Sequence, residues 1–282
     1  MKETRAEHLP VEKLRPFEGH PFKVVDNEEM DQLVWSILTQ GLLTPLVVRP
    51  LDNGEYEVIS GHRRLHACRK AGIEMVPALV YTIDRDAAAI ALVDSNLHRE
   101  RILPSEKAFA YKLKMDALSR QGKRTDLTSR QVGEKLSVTQ LSESSNESER
   151  QIHRYIRLTN LVPGILEKVD EGRIALTPAV ELSYLAEAEQ KDLLETMESE
   201  DCTPSLSQAI QLKQLSQAGK LDMDTIFGIL TQPKANQREK ISFRTDEVRK
   251  FFPKNYTPAQ MQEVILKLLG EYQRKRQRGM ER

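Results

Sequence analysis

The sequence predicts an α+β N-terminal domain, then a mostly α-helical domain built around a helix-turn-helix, then a small C-terminal helical unit. Three observations predict this class. Up to about residue 100, short β-like runs alternate with runs of helical period, the pattern of a small sheet covered by helices. From Pro104 onward the signals are almost all helical. A polar stretch around Pro233 sets the last helical run apart. The boundaries fall at residues 1–102, 103–229, a linker over 230–244, and 245–282, the last a candidate dimerisation unit.

The elements follow in order. Residues 27–40 read as an amphipathic helix with Met30, Leu33, Val34, Ile37 and Leu38 on one face and Gly41 as its stop. Residues 46–49 and 56–59 read as strands joined by the hairpin turn Asp52-Asn53-Gly54. Residues 62–71 predict a helix, 76–81 a strand and 84–96 an alanine-rich helix. Pro104 suits a first helical position, with a helix over 106–119 and a polar loop over 121–126. Thr128-Ser129-Arg130-Gln131 has the form of a capping box and starts a short helix with Val132 and Leu136 inward. Serine-rich residues 137–146 lack a period and read as a long turn. A helix over about 147–159 follows, its apolar face made by Ile152, Tyr155 and Ile156. More helices follow from Pro163, Pro178 and Ser205, and residues 240–244 read as a strand. Thr257-Pro258 is an N-cap with a first-turn proline. Behind it, Met261, Val264, Ile265, Leu268 and Leu269 make a stripe that needs burial, within the chain or against a second copy. The basic run Arg274-Lys275-Arg276-Gln277-Arg278 is a solvated end or a weak DNA attractor.

The chain of 282 residues carries 42 Lys+Arg against 42 Asp+Glu, so any contact with a polyanion must come from a local basic patch. Charged residues make up 30% and hydrophobic residues 39%, which suits a soluble protein with many exposed helices rather than one large core. The two cysteines, Cys68 and Cys202, form no metal or redox pattern, and no apolar run reaches membrane-spanning length. The first residues lack the apolar stretch of a secretory signal. The expectation is a reduced, cytoplasmic protein with no membrane partner.

The most informative stretch is Ser60-Gly61-His62-Arg63-Arg64-Leu65-His66-Ala67. It joins a strand to a helix through one glycine. The first N–H groups of that helix lack internal partners and can face an anion. Arg63 and Arg64 can add forked, charge-assisted bonds to phosphate oxygens. The combination points to a nucleoside triphosphate or another polyphosphate; the plain alternative is a solvated basic helix start. His62 and His66 stand four apart, with His98 beyond, but no carboxylate or cysteine completes a zinc set. Cys68 lies past the first helical turn, where the helix dipole lowers a thiol pKa weakly, so it reads as a structural thiol.

Residues 128–158 have the pattern of a helix-turn-helix, with Gly133 as the small residue of the first helix. The second helix offers Ser148, Arg150, Gln151, Arg154 and Arg157 on its polar face. Arginine can read guanine and glutamine adenine in the major groove, while serine suits phosphates. An ordinary surface helix is the other reading.

Three stretches stand in order in and just after the first domain: Thr44-Pro45-Leu46-Val47-Val48-Arg49, Gly61 to Ala67, and Asp94-Ser95-Asn96-Leu97-His98-Arg99-Glu100 followed by Pro104-Ser105-Glu106-Lys107-Ala108. With the helix-turn-helix behind them, they resemble the ParB family of DNA-partition proteins over roughly residues 9–185. The second stretch is similar to the family's G-E-R-R-x-R-A and the third to its E-N-x-x-R. Ile156 to Pro163 and Glu171-Gly172-Arg173-Ile174 are similar to later family stretches. The resemblance implies a ParB/sulfiredoxin-like N-terminal fold with a pocket for cytidine triphosphate (CTP) and Mg²⁺. It implies that Thr44, Gly61, His62, Arg63, Arg64, Ala67, Ser95, Asn96 and Arg99 form that pocket. Gly61, Arg63 and Arg64 would hold the triphosphate, Arg99 would sit close to the phosphates, and Asn96 would help position the metal. Mg²⁺ prefers hard oxygen ligands, and an asparagine carbonyl is one. The resemblance also implies a homodimer acting as a nucleotide-gated clamp on double-stranded DNA at a palindromic site. Such a protein would be associated with the nucleoid or a plasmid. A ParA-type ATPase is a candidate partner, and CTP hydrolysis to CDP and phosphate a candidate activity.

The chain departs from that pattern at named positions. His62 stands where the family has Glu, His66 where the second stretch has its final Arg, and Ser95 where the third begins with Glu. Asp94 lies one position earlier, about 100° around a helix. Thr177-Pro178-Ala179-Val180 stands where the family often has G-H-A-R. These departures favour nucleotide binding over hydrolysis and assign no catalytic residue. They leave open a second reading: a helix-turn-helix transcriptional regulator or plasmid accessory factor without a working nucleotide switch. A sulfiredoxin-like enzyme would need a reactive cysteine at the phosphate stretch, which Cys68 does not supply.

Overall fold

The computed structural model describes residues 4–97, 99, 102–125, 138–139, 141–142, 145, 147–232, 248–253 and 255–280. Met1–Gln232 form one compact unit and Pro233–Arg282 a second. A five-stranded mixed sheet organises the start of the first unit. Its strands are β1 (Thr4–Pro10), β2 (Leu14–Pro16), β3 (Leu46–Pro50), β4 (Tyr56–Ser60) and β5 (Met75–Tyr81), in the order β1-β5-β3-β4-β2. β1 is antiparallel to β5, β3 is parallel to β5 and antiparallel to β4, and β2 is parallel to β4. The β3–β4 hairpin lies where the sequence predicts it, closed by a 2.8 Å bond from the Leu51 N–H to the Glu55 carbonyl. β1 and β2 are not predicted: Thr4–Pro10 carries too few apolar residues to read as a half-buried strand, and three residues are too few to show a period.

Alternate side chains of the strands point to opposite faces. Leu46, Val48 and Val58 pack with Met30, Ile37 and Leu65 on one face; Ile59 packs with Phe17, Phe22, Ala88 and Leu92 on the other. The first face is covered by α1 (Glu28–Gln40) and α2 (His62–Lys70), the second by α3 (Arg85–Asn96) and α4 (Pro104–Thr125). Local signals place these helices. The Asn27 carboxamide oxygen accepts from the Met30 N–H at 3.1 Å, and the Asp84 carboxylate from the Ala87 N–H at 2.8 Å. Leu38, expected inward, is 58% exposed, and its neighbour Trp35 68% exposed. α1 buries a narrow stripe through Met30 and Ile37, and a residue one step beyond Ile37 turns about 100° away from it.

Residues 121–125, expected as loop, continue α4. Gln121, Lys123 and Arg124 are good helix formers by type, and α4 is held along α3 by Ala110 and Ala117 against Ala88 and Ala89. The serine-rich run is corrected as well. Val138, Thr139, Leu141, Ser142 and Ser145 are helical, and Leu141 is buried against Tyr111 and Ile152. The spacing from Val138 to Leu141 is one helical turn, too brief for a period to show. The predicted capping box at 128–131, Gly133, Val132 and Leu136, the strand at 240–244, His98 and Glu100 lie outside the described residues.

Among the described residues, six further helices follow in the unit: α5 (Glu149–Arg157), α6 (Pro163–Asp170), α7 (Leu176–Leu182), α8 (Glu187–Ser199), α9 (Leu206–Gln217) and α10 (Met223–Leu230). They enclose a second core of Leu158, Ile165, Leu182, Leu193, Leu212 and Ile226. α7 starts two residues before Pro178, since proline is tolerated within a first turn. α4 joins the two cores. Glu106 accepts from the Lys23 N–H at 2.8 Å and the Leu103 N–H at 3.0 Å, and Asp170 from the Ser105 N–H at 2.9 Å. In the second unit, α11 (Pro258–Met280) opens as predicted, with the Thr257 N–H donating to Gln260 Oε1 at 2.9 Å. Met261 of the apolar stripe is buried, while Leu268 and Leu269 are exposed.

Candidate functional site

The turn between β4 and α2 shows why its glycine is needed. Gly61 has φ +105°, a left-handed conformation open to glycine, and a Cβ there would lie 2.6 Å from Leu46 Cδ2. The turn aims the start of α2 at the end of the 41–45 segment. Arg64 Nη1 donates to the Thr44 carbonyl and, at 2.9 Å, to the Pro45 carbonyl. Arg64 therefore ties the first predicted stretch to the second, and burial pulls its pKa down. Arg63 stays nearer solvent, with Nη2 3.1 Å from Glu29 Oε2. Arg99, after α3, lies with its guanidinium carbon 5.5 Å from the Phe22 ring centroid. Burial lowers its pKa first; Glu106 opposes this, and the Arg63 charge adds to it.

A residue that no motif marked completes this corner. The His20 ring stacks on the His62 ring, with centroids 3.6 Å apart and planes at 36°. His62 Nε2 accepts from the Phe17 N–H at 3.3 Å. Burial depresses both imidazoles, His20 to about 4 and His62 to about 3, and the Arg99 charge deepens both shifts. The signal available in the sequence was the Phe17 to Phe22 segment, whose two phenylalanines flank His20, but nothing local links His20 to His62, far along the chain. His66 does not join the corner; its Nε2 lies 3.0 Å from Asp26 Oδ1.

Two expected pocket residues are placed differently. Ala67 is 0% exposed and packs in the core beside Leu46 and Leu65, so its part is its small size rather than ligand contact. Asn96 is 5% exposed, with its amide nitrogen donating to the Leu92 carbonyl at 2.7 Å and to Ser95 Oγ at 3.2 Å. Ser95 Oγ donates to the same carbonyl at 2.9 Å. Mg²⁺ in nucleotide sites is held by one or two carboxylates together with substrate phosphates. Among the described residues, Asp94 pairs with Lys114, Glu106 accepts from two backbone N–H groups, and Glu29 pairs with Arg63. No group of three His, Cys, Asp or Glu among the described residues could hold a metal ion. Asn96 uses only its amide nitrogen in its bonds to Leu92 and Ser95, so its oxygen is the one group of the predicted set that suits a hard cation held mainly by phosphates. The rest of the corner offers guanidinium groups, imidazoles and helix N–H groups, a chemistry for anions. The zinc-like spacing of His62 and His66 stays unused.

The second predicted site lies on α5. Ser148 caps that helix, its hydroxyl accepting from the Gln151 N–H at 3.2 Å. Arg154 Nη1 donates to Gln151 Oε1 at 3.0 Å, and Nη2 to Thr177 Oγ1 at 2.6 Å. Arg157 turns toward the end of α7, donating to the Ser183 carbonyl at 2.7 Å and lying 3.9 Å from the Tyr184 ring centroid. Arg157 is thus a brace rather than an outward reader, which the polar-face pattern could not show. Arg150 is exposed.

Residues 1–97 match the ParB N-terminal domain family. The probable chromosome-partitioning protein ParB of Pseudomonas putida is 30% identical over 187 residues, 66% of this chain and 59% of that one. This chain belongs to the ParB family. A nucleoid occlusion protein of Geobacillus kaustophilus is 39% identical to this ParB-family chain over 113 residues, 39% of this chain and 40% of the relative. The probable ParB of Vibrio cholerae is 28% identical over 252 residues, 86% of this chain and 83% of that one. The chain thus spans two fifths to three fifths of the length of the first two relatives. Cys68, where a sulfiredoxin would need a nucleophile, is buried, and burial raises its thiol pKa. No described helix is long and apolar enough to cross a membrane.

Proposed function

We propose that this ParB-family chain is a DNA-binding partition protein whose N-terminal domain binds CTP and whose α5 region reads a palindromic site. One observation carries the reading. Gly61, the α2 N-terminus, Arg63, Arg64 and the Thr44 backbone converge on one corner, and Arg99 approaches it from the end of α3. Such a corner suits a triphosphate: helix N–H groups meet one phosphate while guanidinium forks meet the others. Thr44 meets the corner through its carbonyl, which Arg64 takes, while the Ser95 hydroxyl bonds back to the Leu92 carbonyl. On α5, Arg150 and Gln151 are the base-edge candidates, and Arg154 acts through Thr177. A clamp requires two copies, so the reading includes a homodimer, nucleoid or plasmid association in the cytoplasm, and a ParA-type ATPase as partner. CTP can shift an open and closed balance only by binding one state more tightly. Hydrolysis is left out, since Ser95 stands where the family's third stretch begins with Glu.

The test is calorimetric titration of the full chain with CTP, ATP and GTP, with and without palindromic DNA. CTP binds, and Arg63→Ala weakens it at least tenfold while leaving DNA binding intact. Unchanged CTP affinity in that variant refutes the assignment. No nucleotide binding under any condition selects the second reading, a regulator without a nucleotide switch, which Ser95 and the Thr177 to Val180 segment favour.

A further inference from the structure

We infer that α5 reads guanine rather than adenine through Gln151, because Arg154 holds the oxygen of the Gln151 amide and leaves only its NH2 group to face a base. The inference rests on the DNA reading proposed for α5 above and concerns which base that helix prefers.

Among the described residues, three helices open on the same local pattern, a serine or threonine followed three residues later by glutamine: Ser148 and Gln151 at α5, Ser205 and Gln208 at α9, Thr257 and Gln260 at α11. At α9 and α11 the glutamine oxygen turns back on the cap, accepting from the Ser205 N–H at 2.9 Å and from the Thr257 N–H at 2.9 Å. At α5 the Ser148 hydroxyl still accepts from the Gln151 N–H, but the Gln151 oxygen accepts instead from Arg154 Nη1 at 3.0 Å. Only α5 has an arginine three residues beyond its glutamine; α9 has Gln211 there and α11 has Glu263. Arg154 is held in turn from α7, its Nη2 donating to Thr177 Oγ1 at 2.6 Å. A contact between helices thus draws the side chain away from its local cap.

The arginine also fixes which way the amide points. A guanidinium has donors and no acceptor, so the atom it meets is the amide oxygen, and the NH2 group lies on the other side. Bidentate recognition of adenine needs both ends of the amide, the oxygen for the N6 amino group and the NH2 for N7. Here the oxygen is taken, and a guanidinium charge beside it opposes an incoming amino group. Guanine shows two acceptors, N7 and O6, on the same edge. The Gln151 NH2, the remaining N–H groups of Arg154 and the Thr177 hydroxyl hydrogen are all donors, and donors suit acceptors. Gln151 lies in the first turn of α5, the part of a recognition helix that reaches base edges. Arg154 is its positioning residue, with Thr177 behind it.

The experiment is selection of duplexes from a randomised library by the full chain, repeated with Gln151→Ala, Arg154→Met, Thr177→Val and Thr177→Ser. Gln151→Ala relaxes one position in each half-site, which marks the base that the amide meets. In the unmodified chain that position is a G·C pair, favoured over A·T by about tenfold or more. Arg154→Met frees the amide, and the preference falls below about threefold or passes to A·T. Thr177→Val shifts it the same way by a smaller factor, and Thr177→Ser, which keeps the acceptor, preserves it. A merely structural role for Arg154 or Thr177 weakens all sites alike and leaves the base preference unmoved. Thr177 is exposed, so its two variants carry the comparison even where Arg154→Met does not fold. An A·T pair at the marked position in the unmodified chain, a preference that Arg154→Met and Thr177→Val leave unchanged, or no position relaxed by Gln151→Ala each overturns the inference and leaves DNA binding standing. A library from which the full chain enriches no sequence removes the proposed reading by α5 itself, and this inference with it.

Discussion

The arginines at the start of α2 and those along α5 look alike in the sequence and are used differently in the fold. At α2, Arg64 spends its fork on the Thr44 and Pro45 carbonyls, which draws two separate stretches into one corner and leaves Arg63 and Arg99 at its rim. At α5, Arg154 and Arg157 spend theirs on Thr177 and Ser183, which fixes the helix against α7 and leaves Arg150 outward. An arginine in a motif is a ligand only to the extent that its donors are not already satisfied by the chain. The contrast separates residues that build a site from residues that touch what enters it.

The contrast can be broken in order of expected effect. Gly61→Ala meets both the left-handed backbone and Leu46 Cδ2. It should cost roughly 3 kcal/mol and lower the melting temperature by about 10 °C, with CTP binding lost. A variant that melts normally and still binds CTP would show that the corner tolerates a different turn. Arg64→Lys comes next. A lysine keeps the charge but not the fork. CTP affinity should fall at least tenfold, and hydrogen exchange at the Leu46 and Val47 amides should quicken. A charge-only role predicts no loss. Third, Arg157→Ala should cost about 1–2 kcal/mol in denaturant unfolding through Ser183 and Tyr184, with the salt dependence of DNA binding unchanged. Arg150→Ala should do the reverse, leaving stability alone and, if it meets a phosphate, lowering the salt slope by about 1. If the two variants exchange these behaviours, the division between brace and reader is wrong. The smallest effect is that of Ser148→Ala, about 1 kcal/mol from the lost helix cap. A DNA affinity loss well beyond tenfold there would mark the serine as a phosphate contact as well.

Much of this was legible because it is local. The Asp52-Asn53-Gly54 hairpin, the helix starts near Asn27 and Asp84, the opening of α4 at Pro104 and the Thr257 cap each depend on residues within one turn of chain. Leu38 was not legible, because the width of the stripe that α1 buries is decided by the sheet beneath it. Residues 138–145 were not, because two apolar side chains show no period until Tyr111 and Ile152 close over Leu141. Among the site residues, the need for glycine at 61 and the basic character of the α2 start were readable. The buried place of Ala67 and the inward turn of Arg157 were not.

The sequence by itself determined the order of the phosphate-like stretches, the turn that requires glycine, and the family to which the chain belongs, since each is written in residue types at short spacing. Tertiary structure alone decided that His20 meets His62, that Arg64 faces carbonyls, and that Arg157 turns to Ser183. Those facts depend on which distant side chains share a low-dielectric space, and charge and hydrogen-bond competition there is set by distance in the fold rather than along the chain.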